Sequence, residues 1–214
     1  MKQLLTAWWL CLVLLPRPTM ADQRTADAAF QRATTAFISG RLEEAERQAE
    51  EAEKAGYKKP EAAWLLGAIY TKQKRYDEAV EQFNQALAID PKFSLAKLDL
   101  AEAKLLQGKY AEAVKDYEAL KVLDPESEVV DFKLVVCFLL EGDDTKASIT
   151  ADVMKFPGKT PAYYYARAAI ALKRGGKDAA QRYFENAKKY YPEDQCRFFV
   201  QSLKEVDLLA STAQ

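Results

Sequence analysis

Histidine is absent from the 214 residues. Without it the chain lacks the side chain that most often serves as general base near neutral pH and the commonest zinc ligand, so its chemistry leans toward binding and away from catalysis. Neither sign of charge prevails: 31 basic residues stand against 32 acidic ones, a net charge of −1. That balance gives no reason to expect nucleic acid or an anionic membrane surface as a partner. Gly-rich phosphate loops and metal-ligand spacings are missing too, so no catalytic residue, metal or cofactor is expected. Cysteine is scarce, with three residues, and long apolar runs are lacking except near the start.

That one run, Leu4 to Leu15, follows Lys2 and is followed by Thr19-Met20-Ala21, the order of a charged start, an apolar stretch and small residues that marks a signal peptide. Residues 1–21 are expected to be removed after Ala21. The run is shorter than the roughly 20 residues needed to span a bilayer, which argues against the alternative of an uncleaved membrane anchor. Cys11 lacks the small residue before it that a lipoprotein signal needs. Loss of Lys2 and Arg17 leaves 29 basic residues against 32 acidic ones, a net charge of −3. The expectation is an exported protein, periplasmic or extracellular, with no tight membrane association once the leader is gone.

What the sequence does have is a period. The stretch from Pro60 to Pro91 places Trp64, Leu66, Gly67 and Tyr70 along one helix and Tyr76, Ala79, Phe83 and Ala86 along a second. Apolar residues three and four apart give each helix a sticky face, and Asp90-Pro91 ends the second helix. The pattern then recurs. Pro91 to Pro125, Tyr76 to Tyr110, Ala79 to Ala113 and Phe83 to Tyr117 are each 34 apart by subtraction. Period and residues together resemble the tetratricopeptide repeat, a helical hairpin of that length.

The resemblance implies an all-α, right-handed solenoid of about five hairpins with a C-terminal capping helix. The units are 22–59, 60–93, 94–127, a degenerate 128–160, and 161–193, followed by the capping helix and tail over 194–214. The first is read as a solvated end repeat, with Arg32 where Leu66 stands. The fourth departs most: its first helix, Val130 to Leu140, is apolar nearly all round and so is expected to be buried on more than its hairpin face. Its second helix ends early, near Phe156-Pro157-Gly158.

Cys137 and Cys196 are read as two buried free thiols, because adjacent hairpins pack about 10 Å apart and a disulfide needs its Cα atoms within about 7 Å. Tyr163, Tyr164, Tyr165, Tyr190 and Tyr191 offer either a sugar platform or ordinary packing of the fifth hairpin.

The remaining constellation is a ladder. Phe30, Trp64, Leu98 and Phe132 recur every 34 residues and Tyr165 follows at 33. By the resemblance, this position lines the concave groove that holds a partner's peptide or helix, with Leu139 in a second row and Glu102 and Val136 between the rows. Family members that clamp a C-terminal carboxylate use Lys, Asn and Arg; the corresponding places here hold Phe30, Thr34, Glu61, Leu65 and Asp99. The expected function is therefore a non-enzymatic protein-interaction scaffold of the cell envelope that grips an apolar segment. The alternative is self-assembly through the apolar fourth hairpin as a homodimer. The surface Phe132, Val136 and Leu139 leave over is taken by a partner, by a second copy, or by the chain's own terminal helix.

Overall fold

The structure, a computed structural model, describes residues 20–209. The expected leader, apart from Met20 and Ala21, and the last five residues lie outside the described ones. Among those described there are eleven α-helices and no strand. They are α1 (Met20–Ile38), α2 (Leu42–Lys54), α3 (Pro60–Lys72), α4 (Tyr76–Ile89), α5 (Ser94–Leu106), α6 (Tyr110–Leu123), α7 (Glu128–Glu141), α8 (Asp144–Asp152), α9 (Ala162–Lys173), α10 (Lys177–Tyr190) and α11 (Glu193–Glu205). No helix is long and apolar enough to cross a membrane among the described residues. The chain divides into two compact units, with the boundary between Lys58 and Lys59.

The first unit is the hairpin α1–α2. Its interface is almost entirely alanine: Ala26, Ala29, Ala33 and Ala36 on α1 and Ala45, Ala49 and Ala52 on α2 have no exposed surface. Side chains this small let two helices approach closely while burying little apolar area each. Phe30 contributes the larger contact, stacking on Tyr57 with ring centroids 4.4 Å apart.

The second unit pairs α3 with α4, α5 with α6, α7 with α8 and α9 with α10, and stacks the first helices α3 on α5 and α7 on α9. Gly67 shows what the repeat residues are for. A Cβ there would lie 2.6 Å from the Phe83 ring, so the glycine leaves room for the aromatic side chain of the partner helix. Turns between paired helices need a left-handed residue, and Gly108, Gly142 and Gly175 supply it. In the second hairpin Lys74 takes that conformation, at φ 62°, where a side chain costs about 1–2 kcal/mol.

The core thickens toward the C-terminal end. Helix α7 buries Val130, Phe132 and every residue from Leu134 to Leu139, and with them Lys133. Partners on several sides explain this: α6, α8 and α9 all pack against it, and Phe199 of α11 meets Phe132. The short α8 leaves a loop that Glu128, at the start of α7, ties down by accepting hydrogen bonds from the backbone N–H of Lys159 and Thr160 and from the Thr160 hydroxyl, at 2.6–2.7 Å.

Candidate functional site

The residues singled out by the period lie on the first helices, and they divide into two sets. Phe30 is half-buried in the first unit, on Tyr57. Trp64 and Leu98 are half-buried in the second. Trp64 is held across the hairpin boundary, its indole N–H donating to Asp99 Oδ2 at 2.6 Å and its ring meeting Phe93 edge-on. Leu98 packs against the edge of the large core.

Phe132, Val136, Leu139 and Tyr165 are buried, each 1% exposed or less. An open ladder over these four is therefore corrected: the chain covers them itself. Helix α11 lies over α7 and α9, and its Phe199 ring sits 5.0 Å from Phe132 and 5.4 Å from Tyr165. The stripe that makes this contact, Cys196, Phe199, Ser202 and Leu203, is buried, whereas Gln195, Arg197, Gln201 and Lys204 are exposed. Spacings of three and four put the buried residues on one side of the helix. The buried residues of α7 are thereby closed to a second copy, whereas the rest of the fourth hairpin leaves Ile149, Val153 and Phe156 exposed.

Beneath α11 runs a polar chain that passes through four helices. The Tyr117 hydroxyl (α6) donates to Glu102 Oε2 (α5) at 2.7 Å. Lys133 (α7), 3% exposed, places Nζ 2.6 Å from the Glu102 carboxylate and donates to Ser202 Oγ (α11) at 2.9 Å. The Phe198 ring lies 5.4 Å from that ammonium. A buried charge needs such partners, because leaving water unpaired is far costlier. Sequence reasoning singled out Glu102 and missed Lys133, Phe199 and Ser202. The available signal was Lys133 itself, a lone charge inside an otherwise apolar helix, which demands a buried counter-ion.

Electrostatics follow from this burial. Desolvation, then the Glu102 carboxylate, pushes the Tyr117 phenol well above its usual range. Asp99 is also raised: burial outweighs the Trp64 hydrogen bond, and Glu102 adds repulsion. The Cys137 thiol is pushed up to about 12, chiefly by burial, so it is inert as a nucleophile. Cys137 and Cys196 are both free and buried. At the far end of α11, burial and then the Glu205 carboxylate raise the phenol of Tyr76, the first residue of α4.

The tyrosine cluster of the fifth hairpin packs on itself. Tyr164 is buried among Tyr163, Tyr190 and Tyr191, with Phe156 closing the group, and the Tyr191 hydroxyl donates to the Gly158 carbonyl at 2.8 Å. Its rings join the loop after α8 to α9 and α10.

Two tetratricopeptide repeat models match the sequence, over residues 30–94 and 70–125. No curated protein matches it. Among solved structures, a tetratricopeptide repeat protein from Parabacteroides merdae ATCC 43184 superposes with a TM-score of 0.64 at 20% identity, covering 84% of this chain and 70% of that one. A thermophilic repeat protein of Thermus thermophilus gives 0.63 at 20% identity, over 83% and 98% of the two chains. A MamA fragment from Desulfovibrio magneticus RS-1 gives 0.60 at 17%, over 77% and 94%. At such identities the likeness concerns the fold alone.

Proposed function

Since this chain is a tetratricopeptide-repeat protein, we propose that it works as a non-enzymatic interaction scaffold, seating an apolar helical segment of a protein partner on the face built by its first helices. The observation that carries this reading is α11, an amphipathic helix already lying across α7 and α9 with Phe199 against Phe132 and Tyr165. Main-chain recognition would need an open strand edge, whereas a row of helices offers side-chain pockets at the spacing of one helical turn, the geometry of helix-in-groove binding. The half-buried Trp64, Leu98 and Glu102 continue that face beyond α11. The leader-like residues 1–21 support export, and we place the scaffold in the cell envelope on that ground.

A capture experiment from envelope extract tests the reading, with the full chain as bait beside a Trp64→Ala/Leu98→Glu variant. A protein retained by the native chain and lost by the variant, with thermal melts matched, supports it. Equal retention by both moves the contact off the first-helix face.

A further inference from the structure

Resting on the scaffold reading, we infer that α11 is an exchangeable occupant of the face it covers, and that the partner it gives way to is an amphipathic helix carrying an aromatic residue, a hydroxyl three residues on and leucine four residues on. Those are the chemical features with which α11 itself meets the seat. Phe199 fills the space between Phe132 and Tyr165, Leu203 is fully buried, and Ser202 takes a hydrogen bond from Lys133. The polar contact specifies register: Lys133 is held on the receptor side by Glu102, and a helix that seats its aromatic ring correctly but lacks the hydroxyl strands a buried ammonium donor.

Three features favour exchange over a permanent core element. The helix is joined to α10 only by Tyr191 and Pro192, both extended, a connection with no helical hydrogen bonds across it to break when α11 turns away from its seat. Its other side is solvated, with Gln195, Arg197, Gln201 and Lys204 exposed. The receptor side is complete without it, because Glu102, Tyr117 and Lys133 belong to the hairpins and remain bonded to one another. Removing α11 would uncover two aromatic rings and one ammonium side by side, the composition of a hot-spot pocket.

The test uses the full chain and, as probe, a fluorescein-labelled peptide with the sequence of Glu193 to Leu209, followed by anisotropy. Native α11 competes, so a Phe199→Ala chain should bind the probe at least about ten-fold more tightly than the native chain, in proportion to the larger open fraction. A probe carrying Ser202→Ala should lose about ten-fold, and that loss should vanish on a Phe199→Ala/Lys133→Met chain. Equal binding to native and Phe199→Ala chains, or no binding to either, overturns the inference. Should Phe199→Ala not fold, hydrogen exchange on the native chain decides: α11 amides exchanging at least about ten-fold faster than those of α9 support exchange, and equal rates overturn it. Light scattering that finds a native dimer dissolved by the probe would overturn the choice of occupant, since a second copy's α11 then holds the seat. A fixed α11 leaves the scaffold reading standing on Trp64 and Leu98; loss of the Trp64→Ala/Leu98→Glu effect leaves α11 exchange untouched.

Discussion

The second and third hairpins and the fourth and fifth are built from one pattern, yet they treat the same face in opposite ways. In the former, the ladder positions Trp64 and Leu98 are half-buried and the nearby ion pair Lys104–Asp116, at 2.6 Å, keeps its acid 30% exposed. In the latter, Phe132 and Tyr165 vanish under α11, and Lys133, which reaches back to Glu102 of the third hairpin, has its side chain 4% exposed against 16% for Lys104. Equivalent positions in a repeat therefore do not share an environment. What differs is whether another helix is laid across them.

The largest expected effect tests that contrast in charge. Lys133→Ala removes one member of a buried pair and leaves Glu102 uncompensated, at a cost of about 3–5 kcal/mol in urea unfolding. Lys104→Ala in the third hairpin should cost less than about 1 kcal/mol, because its partner remains solvated. Comparable losses would break the distinction between the two halves.

Next comes the contrast in packing. Phe199→Ala opens space between two aromatic rings and should cost up to about 3 kcal/mol, as far as the seating of α11 contributes to unfolding. Leu98→Ala should cost about 1 kcal/mol, its side chain being only part-buried. Within the regular half, Gly67→Ala drives a methyl group into the Phe83 ring, and a loss of about 1–3 kcal/mol in thermal unfolding is expected. A neutral substitution there would mean that the α3–α4 interface yields more than its geometry indicates.

Smaller effects refine the picture. Lys74→Gly relieves the left-handed strain at the one turn lacking its glycine among the turn positions above, and should stabilise by about 1 kcal/mol in the same melts. The pH response of Asp99 is the finest. Its folded carboxyl is raised above the ordinary 3.8, so above 3.8 the native state holds the proton that the unfolded chain has released. Stability should therefore fall as pH rises from 3.8 through the folded value, and recover on acidification in that window. Asp99→Asn should flatten this slope; an unchanged slope would assign it to another acid.

Several features were legible in the sequence for plain reasons. Helical hairpins follow from apolar residues three and four apart, closed by proline and left-handed glycine, and those are local properties. The all-round apolar stretch from Val130 to Leu140 also announced burial on several sides. Its lone Lys133 was passed over, although a charge in that setting implies a counter-ion on another helix. Phe199 and Leu203, four apart in the sequence and both buried, mark a stripe on α11 without naming its destination. A stripe states that a helix will be covered and is silent about which surface covers it.

The sequence alone thus determined the class of fold, because a repeat of one hairpin every 34 residues constrains each helix to pack on its neighbours. It also determined the lean toward binding, since the general base most often used near neutral pH is missing. Only the tertiary structure decided that α11 crosses from the fifth hairpin onto α7, that Phe132 and Tyr165 are seats and not open rungs, and that Lys133 joins Glu102 to Ser202. Those contacts link residues 31 and 69 positions apart, and at such separations no local pattern selects one partner over another; the closing of the chain does.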